Sequence, residues 1–467
     1  MALDPDRLFP AETNTRQIAR DLYETVCDLP IISPHGHTDP RWFAENQKFE
    51  DPAQLFVVPD HYVLRMLVSQ GVSLEALGVA GQNDEWFETD GRKIWRLFAE
   101  HYHLFRATPS KMWIDHSFEF VFGLQDAFSP ETADNFYDQI SEALNTDAFR
   151  PRQLFDRFGI SALSTTESAL DSLQWHQQIQ TSDWEGRVIT AYRPDNVIDP
   201  EFENFAKNLE IFGEITGEDI SSWEGYLAAH RRRRAFFIEH GATSSDHGHP
   251  TARTENLSQA EAAQLYEKAL MQTCSAEEAD KFRGHMLTEM ARMSLDDGLV
   301  MQIHPGSFRN HSGSIMRQFG RDKGFDIPTP TNFVRDLHPL LNAFGMRADL
   351  NIIIFTLDET TLARELAPLA GVYPALKLGP PWWFYDSPNG MMRFRELTTE
   401  TAGFYNTVGF NDDTRAFCSI PSRHDMARRV DCAYLATLVR AGQLSQSEAY
   451  ELAQDLSYNF AKKAYKL

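Results

Sequence analysis

Eight short apolar runs recur along the chain, and most of them lead into polar residues. They are "LPIISPHGH", "GISALSTTE", "RVITAYRP", "AFFIEHGATSSDHGH", "LVMQIHPG", "NIIIFTL", "YPALKLGPPWW" and "GFNDDTR". Runs of Ile, Val, Leu and Phe without polar alternation are typical of parallel strands that are covered on both faces. The pattern therefore predicts eight parallel β-strands.

Helical patterns fill the intervals between these runs. Ser258 with Glu261 and Ser445 with Glu448 have the spacing of capping boxes, and each pair opens a segment with helical apolar periodicity. Strands that alternate with helices in this way form α/β folds with a parallel sheet. We therefore predict an α/β protein whose eight strands close into a (β/α)8 TIM barrel.

One interval is too long for a simple connection. About 120 residues lie between His37 and Gly159, and they include aromatic, helix-periodic stretches such as "DHYVLRMLVSQGV". A structureless loop of that length is unusual in a compact domain. We predict an N-terminal helix and the first strand over residues 1–40, a mainly helical inserted subdomain over 41–155, and the rest of the barrel with C-terminal helices over 156–467.

The composition is that of a globular protein, and its charge bears on the partners that we expect. The 467 residues are 42% hydrophobic and 24% charged, which is enough to build a large core. The 67 Asp and Glu residues exceed the 44 Lys and Arg residues, and the net charge of −23 disfavours nucleic acid and anionic membrane surfaces as partners. No stretch approaches the roughly 18 consecutive apolar residues of a membrane span.

The cysteines and the first residues bear on the cellular compartment. Cys27, Cys274, Cys418 and Cys432 have no CxxC spacing, which predicts reduced, buried thiols rather than disulfides. The start, "MALDPDRLFP", has no cationic segment followed by an apolar one. We therefore expect a cytoplasmic protein, and we also expect a homo-oligomer.

Polar residues of chemical interest follow most of the predicted strands. They are His35 and His37 after the first run, Arg193 after the third, Asp246 and His247 after the fourth, His304 after the fifth, Trp382 and Trp383 after the seventh, and Asp413 and Arg415 after the eighth. A single His or Asp at such a position is commonly a structural residue or a helix N-cap. Because the carboxyl ends of barrel strands meet at one mouth, the whole set predicts a shared functional site.

His35, His37 and Asp413 are the candidate metal ligands. Residues i and i+2 of a strand point to the same face, so the two imidazoles of "HGH" can reach one point. Asp413 joins them only if the sheet closes. Two imidazoles and a carboxylate form an open site for one divalent ion, Zn²⁺ or a similar ion such as Mn²⁺. His304 is either a fourth ligand or a hydrogen-bonding partner of the substrate.

The strand-end pattern resembles the amidohydrolase superfamily, and narrower motifs resemble the uronate isomerase (glucuronate isomerase) family. These motifs are "DHYVLR", "TAYRPD", "SDHG", "MQIHPGSFRN", "WWFYD" and "DTRAFCSIPSRHDMARR", and the resemblance runs from about residue 16 to the C-terminus. The sequence departs from the family pattern at Glu167, where Asp is expected, and at the adjacent acids of "NDDTR". Alignment to Arg415 favours Asp413 over Asp412 as the functional acid.

The resemblance implies an aldose–ketose isomerase that converts D-glucuronate to D-fructuronate, and D-galacturonate to D-tagaturonate, through a cis-enediol. It implies that the metal binds the C6 carboxylate and the C5 hydroxyl of the sugar. Asp413 would move a proton between C2 and C1, and Tyr62 would shuttle a proton between the two oxygens. His304 is the third predicted catalytic residue. The predicted substrate contacts are His61, Arg193, Asp246, Arg309, Trp382 and Arg415.

The chemistry of the residues agrees with an anionic substrate. A uronate that enters a protein of charge −23 needs local positive charge, and the planar guanidinium groups of Arg193, Arg309 and Arg415 suit a carboxylate. A phenol such as that of Tyr62 can both donate and accept a hydrogen bond. Two alternatives stay open: a metal-dependent amidohydrolase that acts on an amide, ester or lactone, and a non-catalytic sugar-acid binding protein.

Overall fold

The computed structural model describes residues 3–83 and 86–467. Within these residues the strands are β1 (Ile31–Ser33), β2 (Ile160–Ser168), β3 (Val188–Arg193), β4 (Ser244–His247), β5 (Val300–Ile303), β6 (Ser307–Phe308), β7 (Ile327–Pro328), β8 (Ile352–Ile354) and β9 (Leu376–Leu378). Seven of the described strands form one parallel sheet in the order β1-β2-β3-β4-β5-β8-β9. The short strands β6 and β7 pair antiparallel outside it. The protein is therefore a mixed α/β fold with a curled parallel sheet.

The strands of the large sheet are buried on both faces, as their uninterrupted apolar runs predict. Every residue of β1, β4, β5 and β8 is buried. The longest pairing joins β2 to β3, from Leu163 opposite Val188 to Ser168 opposite Arg193. This register brings Thr166, Ser168 and Arg193 to the same end of the sheet, which is the end where the polar residues collect.

The eighth predicted strand, in "GFNDDTR", is not formed in the described structure. Thr407 makes an isolated parallel bridge to Leu378, and the Val408 amide donates to the Leu378 carbonyl over 3.2 Å. On the opposite edge, the His37 amide donates to the Thr414 carbonyl over 3.0 Å. Asp413 has a φ of 40°, in the left-handed region, which does not occur in a regular strand. The prediction of eight regular strands was therefore wrong for this segment, which lies between β1 and β9 as irregular chain.

The N-terminal part of the chain is helical apart from β1. Helix α1 (Thr13–Glu24) precedes β1, and after it come α2 (Pro40–Glu45), α3 (Pro52–Phe56), α4 (His61–Val68), α5 (Gly91–Glu100), α6 (Pro109–His116), α7 (Ala133–Leu144) and α8 (Pro151–Arg157). The described part of 41–155 contains no strand. Its aromatic residues, among them Trp95, Phe98 and Phe118, share one core with Ile160 of β2 and Phe417. These helices are therefore packed directly against the sheet.

The later helices alternate with β2 to β9 and then end the chain. They are α9 (Gln174–Gln180), α10 (Asp195–Ile198), α11 (Phe205–Thr216), α12 (Trp223–Glu239), α13 (Gln259–Leu270), α14 (Ala276–Asp297), α15 (Gly313–Phe319), α16 (Phe333–Asp336), α17 (His338–Phe344), α18 (Ala367–Ala370), α19 (Pro388–Ala402), α20 (Ile420–Arg440), α21 (Gln446–Gln454) and α22 (Phe460–Ala464). The predicted capping boxes open α13 and α21, and a further one opens α14. Among the described helices, none is long and apolar enough to cross a membrane.

Short helical turns complete the fold. Turns of 3₁₀ type are Tyr102–Phe105, Asp147–Phe149, Trp383–Tyr385, Phe404–Asn406 and Phe417–Ser419, and turns of π type are Ser117–Val121, Leu362–Leu366 and Asp455–Asn459. The four cysteines are free thiols, as predicted. Cys418 and Cys432 are buried, whereas Cys27 and Cys274 are only half-buried, so the prediction of burial was wrong for those two.

Candidate active site

A cavity of about 780 Å³ lies at the carboxyl ends of the parallel strands. Its walls come from β1, from the helical interval after it, and from the segments that follow β2 to β5 and β9. The cavity brings together all but one of the predicted site residues: His35, His37, His61, Tyr62, Arg193, His304, Arg309, Trp382, Asp413 and Arg415. Asp246, the exception, is fully buried behind the wall. Residues far apart in the sequence thus meet at one place.

The three predicted metal ligands converge in this cavity. Asp413 Oδ1 lies 3.4 Å from His35 Nε2 and 3.3 Å from His37 Nε2. Ligand atoms around a tetrahedral ion with bonds of about 2.0–2.1 Å lie about 3.3–3.4 Å apart, so this spacing fits a divalent metal. Asp413 Oδ1 is buried and has no hydrogen-bond partner among the described residues. A buried carboxylate oxygen without a partner is costly unless a ligand satisfies it, so the residues fit a metal ion.

The local backbone determines which of the two adjacent acids faces the cavity. Asp412 points away from it, and its Oδ2 lies 3.0 Å from His424 Nε2. The Asp412 carbonyl accepts a hydrogen bond from the buried Arg423 side chain over 3.1 Å. The backbone of Asp413 is in the left-handed conformation, and the Asp413 side chain faces His35 and His37. Non-glycine residues in this conformation are strained and cluster at functional sites.

The protonation states of Asp413 and His37 suit metal binding. Burial raises the pKa of Asp413, but the adjacent imidazoles of His35 and His37 hold it well below its usual value. Asp413 is therefore a carboxylate at neutral pH. Burial lowers the pKa of His37, so its imidazole is neutral, which is the form that binds a metal. Burial also lowers the pKa of His35, but the Asp246 and Asp413 carboxylates outweigh it and raise the pKa overall.

The buried Asp246 carboxylate lies between His304 and Arg193 and contacts both of them. His304 Nδ1 lies 2.7 Å from Asp246 Oδ1, and Arg193 Nη1 lies 3.1 Å from Asp246 Oδ2. His35, Asp246 and His304 also have candidate ligand atoms within 4.8 Å of one another. Asp246 itself is fully buried and contacts both His304 and Arg193.

Three arginines give the cavity its positive charge, and each has an acidic neighbour. Arg193 Nε donates to Asp195 over 2.8 Å, Arg309 Nη1 donates to Asp326 over 3.1 Å, and Arg415 Nη2 lies 3.4 Å from Asp322. The arginine side chains are 23%, 23% and 35% exposed. Because these exposed portions line the cavity, the guanidinium groups can reach a bound anion while the carboxylates hold them in place.

Tyr62 and His61 enter the cavity at the start of α4. The Asp60 side chain caps this helix by accepting from the Tyr62 amide over 2.8 Å. The Tyr62 ring packs edge-on against Trp113 at 5.5 Å and stacks with His61 at 4.8 Å. Burial raises the pKa of Tyr62, so the phenol keeps its proton at neutral pH. Burial lowers the pKa of His61 to about 3, so this imidazole is neutral.

Several supporting residues were not predicted from the sequence. Asp195 accepts a hydrogen bond from Arg193 and orients it. Asp195 ends the "TAYRPD" motif two positions after Arg193, and this proximity in the sequence could have identified it. Asp322 and Asp326 lie between α15 and β7, where no periodicity marks them. Arg423 is fully buried in α20 and donates to Asp386 over 2.9 Å. Its place within "SRHDMARR" gave no sign that the side chain points inward.

Comparison with known proteins decides the family. A family model described as glucuronate isomerase matches residues 11–465. The chain belongs to the glucuronate isomerase family. A uronate isomerase of Mesorhizobium japonicum is 63% identical over 464 residues, which cover 99% of each chain. The crystal structure of glucuronate isomerase from Caulobacter crescentus superimposes with a TM-score of 0.98 at 59% identity, covering 100% of this chain and 97% of the other. A uronate isomerase structure from Thermotoga maritima gives 0.92 at 28% identity, with both chains fully covered.

Membership in the glucuronate isomerase family confirms the resemblance found in the sequence motifs. The match extends over nearly the whole chain, so it includes both the helical interval after β1 and the parallel sheet. The protein is an isomerase, as predicted. The amidohydrolase and sugar-acid binding alternatives are not favoured, because the curated relatives over this length carry the name uronate isomerase.

Proposed function

We propose that the protein interconverts D-glucuronate and D-fructuronate, and D-galacturonate and D-tagaturonate, through a cis-enediol. One observation carries the proposal: an ionised carboxylate, Asp413, lies 3.3–3.4 Å from two histidines in a cavity that three arginines line. A base, a candidate metal centre and an anion-binding wall are the parts that isomerisation of a sugar acid requires. Names of the relatives, which are uronate and glucuronate isomerases, support the same substrate class.

His35, His37 and Asp413 would hold one divalent ion, Zn²⁺ or Mn²⁺. Imidazole nitrogens and a carboxylate suit several borderline ions, so the donor set is compatible with both. When bound, the ion supplies positive charge that polarises substrate oxygens and offsets the negative charge of the sugar acid. The hydrogen bond from the His37 amide to the Thr414 carbonyl holds the segment that carries Asp413 beside β1.

The arginines bind and orient the anionic substrate. A cavity of about 780 Å³ is large enough for a six-carbon sugar acid. Arg193, Arg309 and Arg415 provide charge-assisted hydrogen bonds to carboxylate and hydroxyl oxygens. Trp382 and His61 add apolar and aromatic surface against which the carbon chain packs. This wall fixes C1 and C2 beside Asp413, which is the positioning that proton transfer needs.

The proton transfers follow from the protonation states. Asp413 takes the proton from C2, and the electrons of that bond form the C1–C2 double bond of the enediol. The proton on the Asp413 carboxyl exchanges with solvent, and Asp413 then delivers a proton to C1. The Tyr62 phenol accepts the proton of the C2 hydroxyl as it donates its own to the C1 oxygen, so the phenol is restored. Burial keeps the Tyr62 phenol protonated. Burial lowers the pKa of His304, so its neutral imidazole can hydrogen-bond a substrate oxygen.

We also propose how the larger parts serve this site. The 407–414 segment would close the curled sheet into a (β/α)8 barrel of the metal-dependent hydrolase type, supported by the bridge from Thr407 to Leu378 and the His37–Thr414 hydrogen bond. Residues 41–155 would act as an inserted subdomain that covers the mouth, because they contribute His61 and Tyr62 to its wall. We further propose a cytoplasmic homo-oligomer.

The test is direct incubation with both sugars. Purified protein with Zn²⁺ or Mn²⁺ is mixed with D-glucuronate or D-galacturonate, and ¹³C NMR follows the loss of the C1 aldose signals and the growth of a ketone carbon. We expect a mixture of aldose and ketose with each sugar. No ketose from either sugar would refute the proposal. A lactone substrate controls for the hydrolase alternative, since a hydrolase would open the ring without forming a ketose.

A further inference from the structure

The tripeptide His-Gly-His occurs twice in the chain. His35 and His37 follow β1, and His247 and His249 stand in the same spacing where β4 ends. Asp195, which follows β3, lies beside the second pair. The proposed function uses the first triplet and its carboxylate, Asp413, whereas it gives no role to His247 or His249 and uses Asp195 only to orient Arg193. The second set offers the same donors, two imidazoles and one carboxylate, and shares no residue with the first.

The second set is close enough to hold an ion. The candidate ligand atoms of Asp195, His247 and His249 all lie within 4.8 Å of one another. His249 Nε2 is 3.8 Å from Asp195 Oδ1, which is too long for a hydrogen bond. The two imidazole rings have centroids 6.0 Å apart and planes inclined by 79°. A direct hydrogen bond between these groups therefore does not account for their convergence.

The ring nitrogens in this group are buried and unsatisfied. His249 is 3% exposed, and neither of its ring nitrogens has a hydrogen-bond partner among the described residues. His247 is fully buried, with Nε2 at 3.1 Å from Ser245 Oγ, and its Nδ1 also lacks a partner in the described structure. One nitrogen held by a hydrogen bond while the other is free is the usual arrangement of a metal-binding histidine. Buried polar atoms without partners are rare and call for a ligand.

We propose that Asp195, His247 and His249 form a second divalent-metal site, one that takes Zn²⁺ or a similar ion of borderline softness. Asp195 Oδ2 accepts from Arg193, and the Gly248 amide lies 3.2 Å from Oδ1. A carboxylate oxygen accepts more than one bond, so Oδ1 keeps a lone pair for the ion. Asp195 and His249 both line the large cavity, which gives the ion a path of entry. The ion would tie the end of β3 to the end of β4, directly behind Arg193.

Metal stoichiometry tests this site independently of catalysis. Protein is stripped with a chelator, supplied with two equivalents of Zn²⁺, passed through a desalting column and analysed by elemental mass spectrometry. Wild type is expected to retain two zinc ions, and His249→Gln and His35→Gln one each. His249→Gln combined with His35→Gln should retain none. His338→Gln removes an exposed imidazole and controls for surface binding, so it should match wild type.

The outcomes separate this site from the one in the proposed function. Loss of zinc in His35→Gln but not in His249→Gln overturns the second site and leaves the first intact. Loss in His249→Gln but not in His35→Gln supports the second site and removes the ion from the first. If His249→Gln does not fold, anomalous diffraction at the zinc edge from wild-type crystals with two equivalents of zinc decides. A peak within bonding distance of Asp195, His247 and His249 supports the site, and its absence overturns it.

Discussion

The substitution Glu167→Gln should stabilise the protein, and increasingly so as the pH rises. Glu167 lies in β2 and is 9% exposed, and its carboxylate accepts a hydrogen bond from the Thr190 hydroxyl. His176 Nε2 on α9 is 3.8 Å away, so no ion pair at hydrogen-bond distance compensates for burial. Burial raises the pKa of Glu167 from 4.5 to about 8. The folded protein therefore holds this carboxyl group protonated at neutral pH.

The sign and size of the effect follow from the difference between folded and unfolded states. Below pH 4.5 the carboxyl is protonated in both states and contributes nothing. Between pH 4.5 and about 8 the unfolded chain ionises while the folded chain keeps its proton, so stability falls as the pH rises. Each rise of one pH unit in this range lowers the free energy of unfolding by about 1.36 kcal/mol, and the full loss above pH 8 is on the order of 5 kcal/mol. Gln accepts the same hydrogen bond from Thr190 and does not titrate.

Urea unfolding of both proteins across about pH 4 to pH 9 measures this difference. We expect the free energy of unfolding of Glu167→Gln to match that of wild type near the acidic end and to exceed it by several kcal/mol at the alkaline end. The solvent-exposed substitution Glu400→Gln controls for the chemical change itself. A difference between Glu167→Gln and wild type that stays constant with pH would show that burial does not hold the proton on Glu167.

Three further predictions concern the site and its support. Arg193→Met should raise KM for D-glucuronate about 10- to 100-fold, because it removes a charge-assisted hydrogen bond of about 1.5–3 kcal/mol. An unchanged KM in steady-state kinetics would exclude contact between Arg193 and the substrate. Tyr62→Phe should lower kcat about 10²- to 10⁴-fold with little change in Tm, and a kcat equal to that of wild type would exclude the proton shuttle. Arg423→Met should destabilise the fold by about 3–5 kcal/mol, because it leaves the Asp386 carboxylate buried without its partner. An unchanged midpoint of urea unfolding would contradict this loss of stability.

The hydrophobic pattern predicted the sheet well but not the segment near Asp413. Uninterrupted apolar runs report burial on both faces, and seven of the eight runs form strands of the parallel sheet. The run before "NDDTR" is also buried, but Asp413 takes a left-handed conformation that ends regular pairing. Burial pattern carries no information on such a backbone angle. The functional consequence, a carboxylate facing His35 and His37, was nevertheless predicted from its position after a strand.

The sequence predicted the candidate-site residues that directly follow strands. It did not predict buried residues that support the site from outside the cavity. The strand-end rule found His35, His304 and Arg193 because the parallel sheet brings those ends together. The same rule predicted Asp246 as a substrate contact, and the structure shows that its carboxylate is fully buried beside His304 and Arg193. Arg423 was missed because an arginine in a long helix is ordinarily exposed, and only the three-dimensional packing places it beside Tyr62.

The most direct measurement is exchange of the substrate C2 proton in D₂O, followed by ¹H NMR with metal-loaded protein. The account predicts that wild type exchanges this proton of D-glucuronate and forms ketose, while Asp413→Asn does neither and keeps a melting temperature within a few degrees. Asp412→Asn is the matched control, because its side chain faces His424 instead of the cavity, and it should retain exchange. Exchange by Asp413→Asn at the rate of wild type would contradict the account, since it would place the base elsewhere.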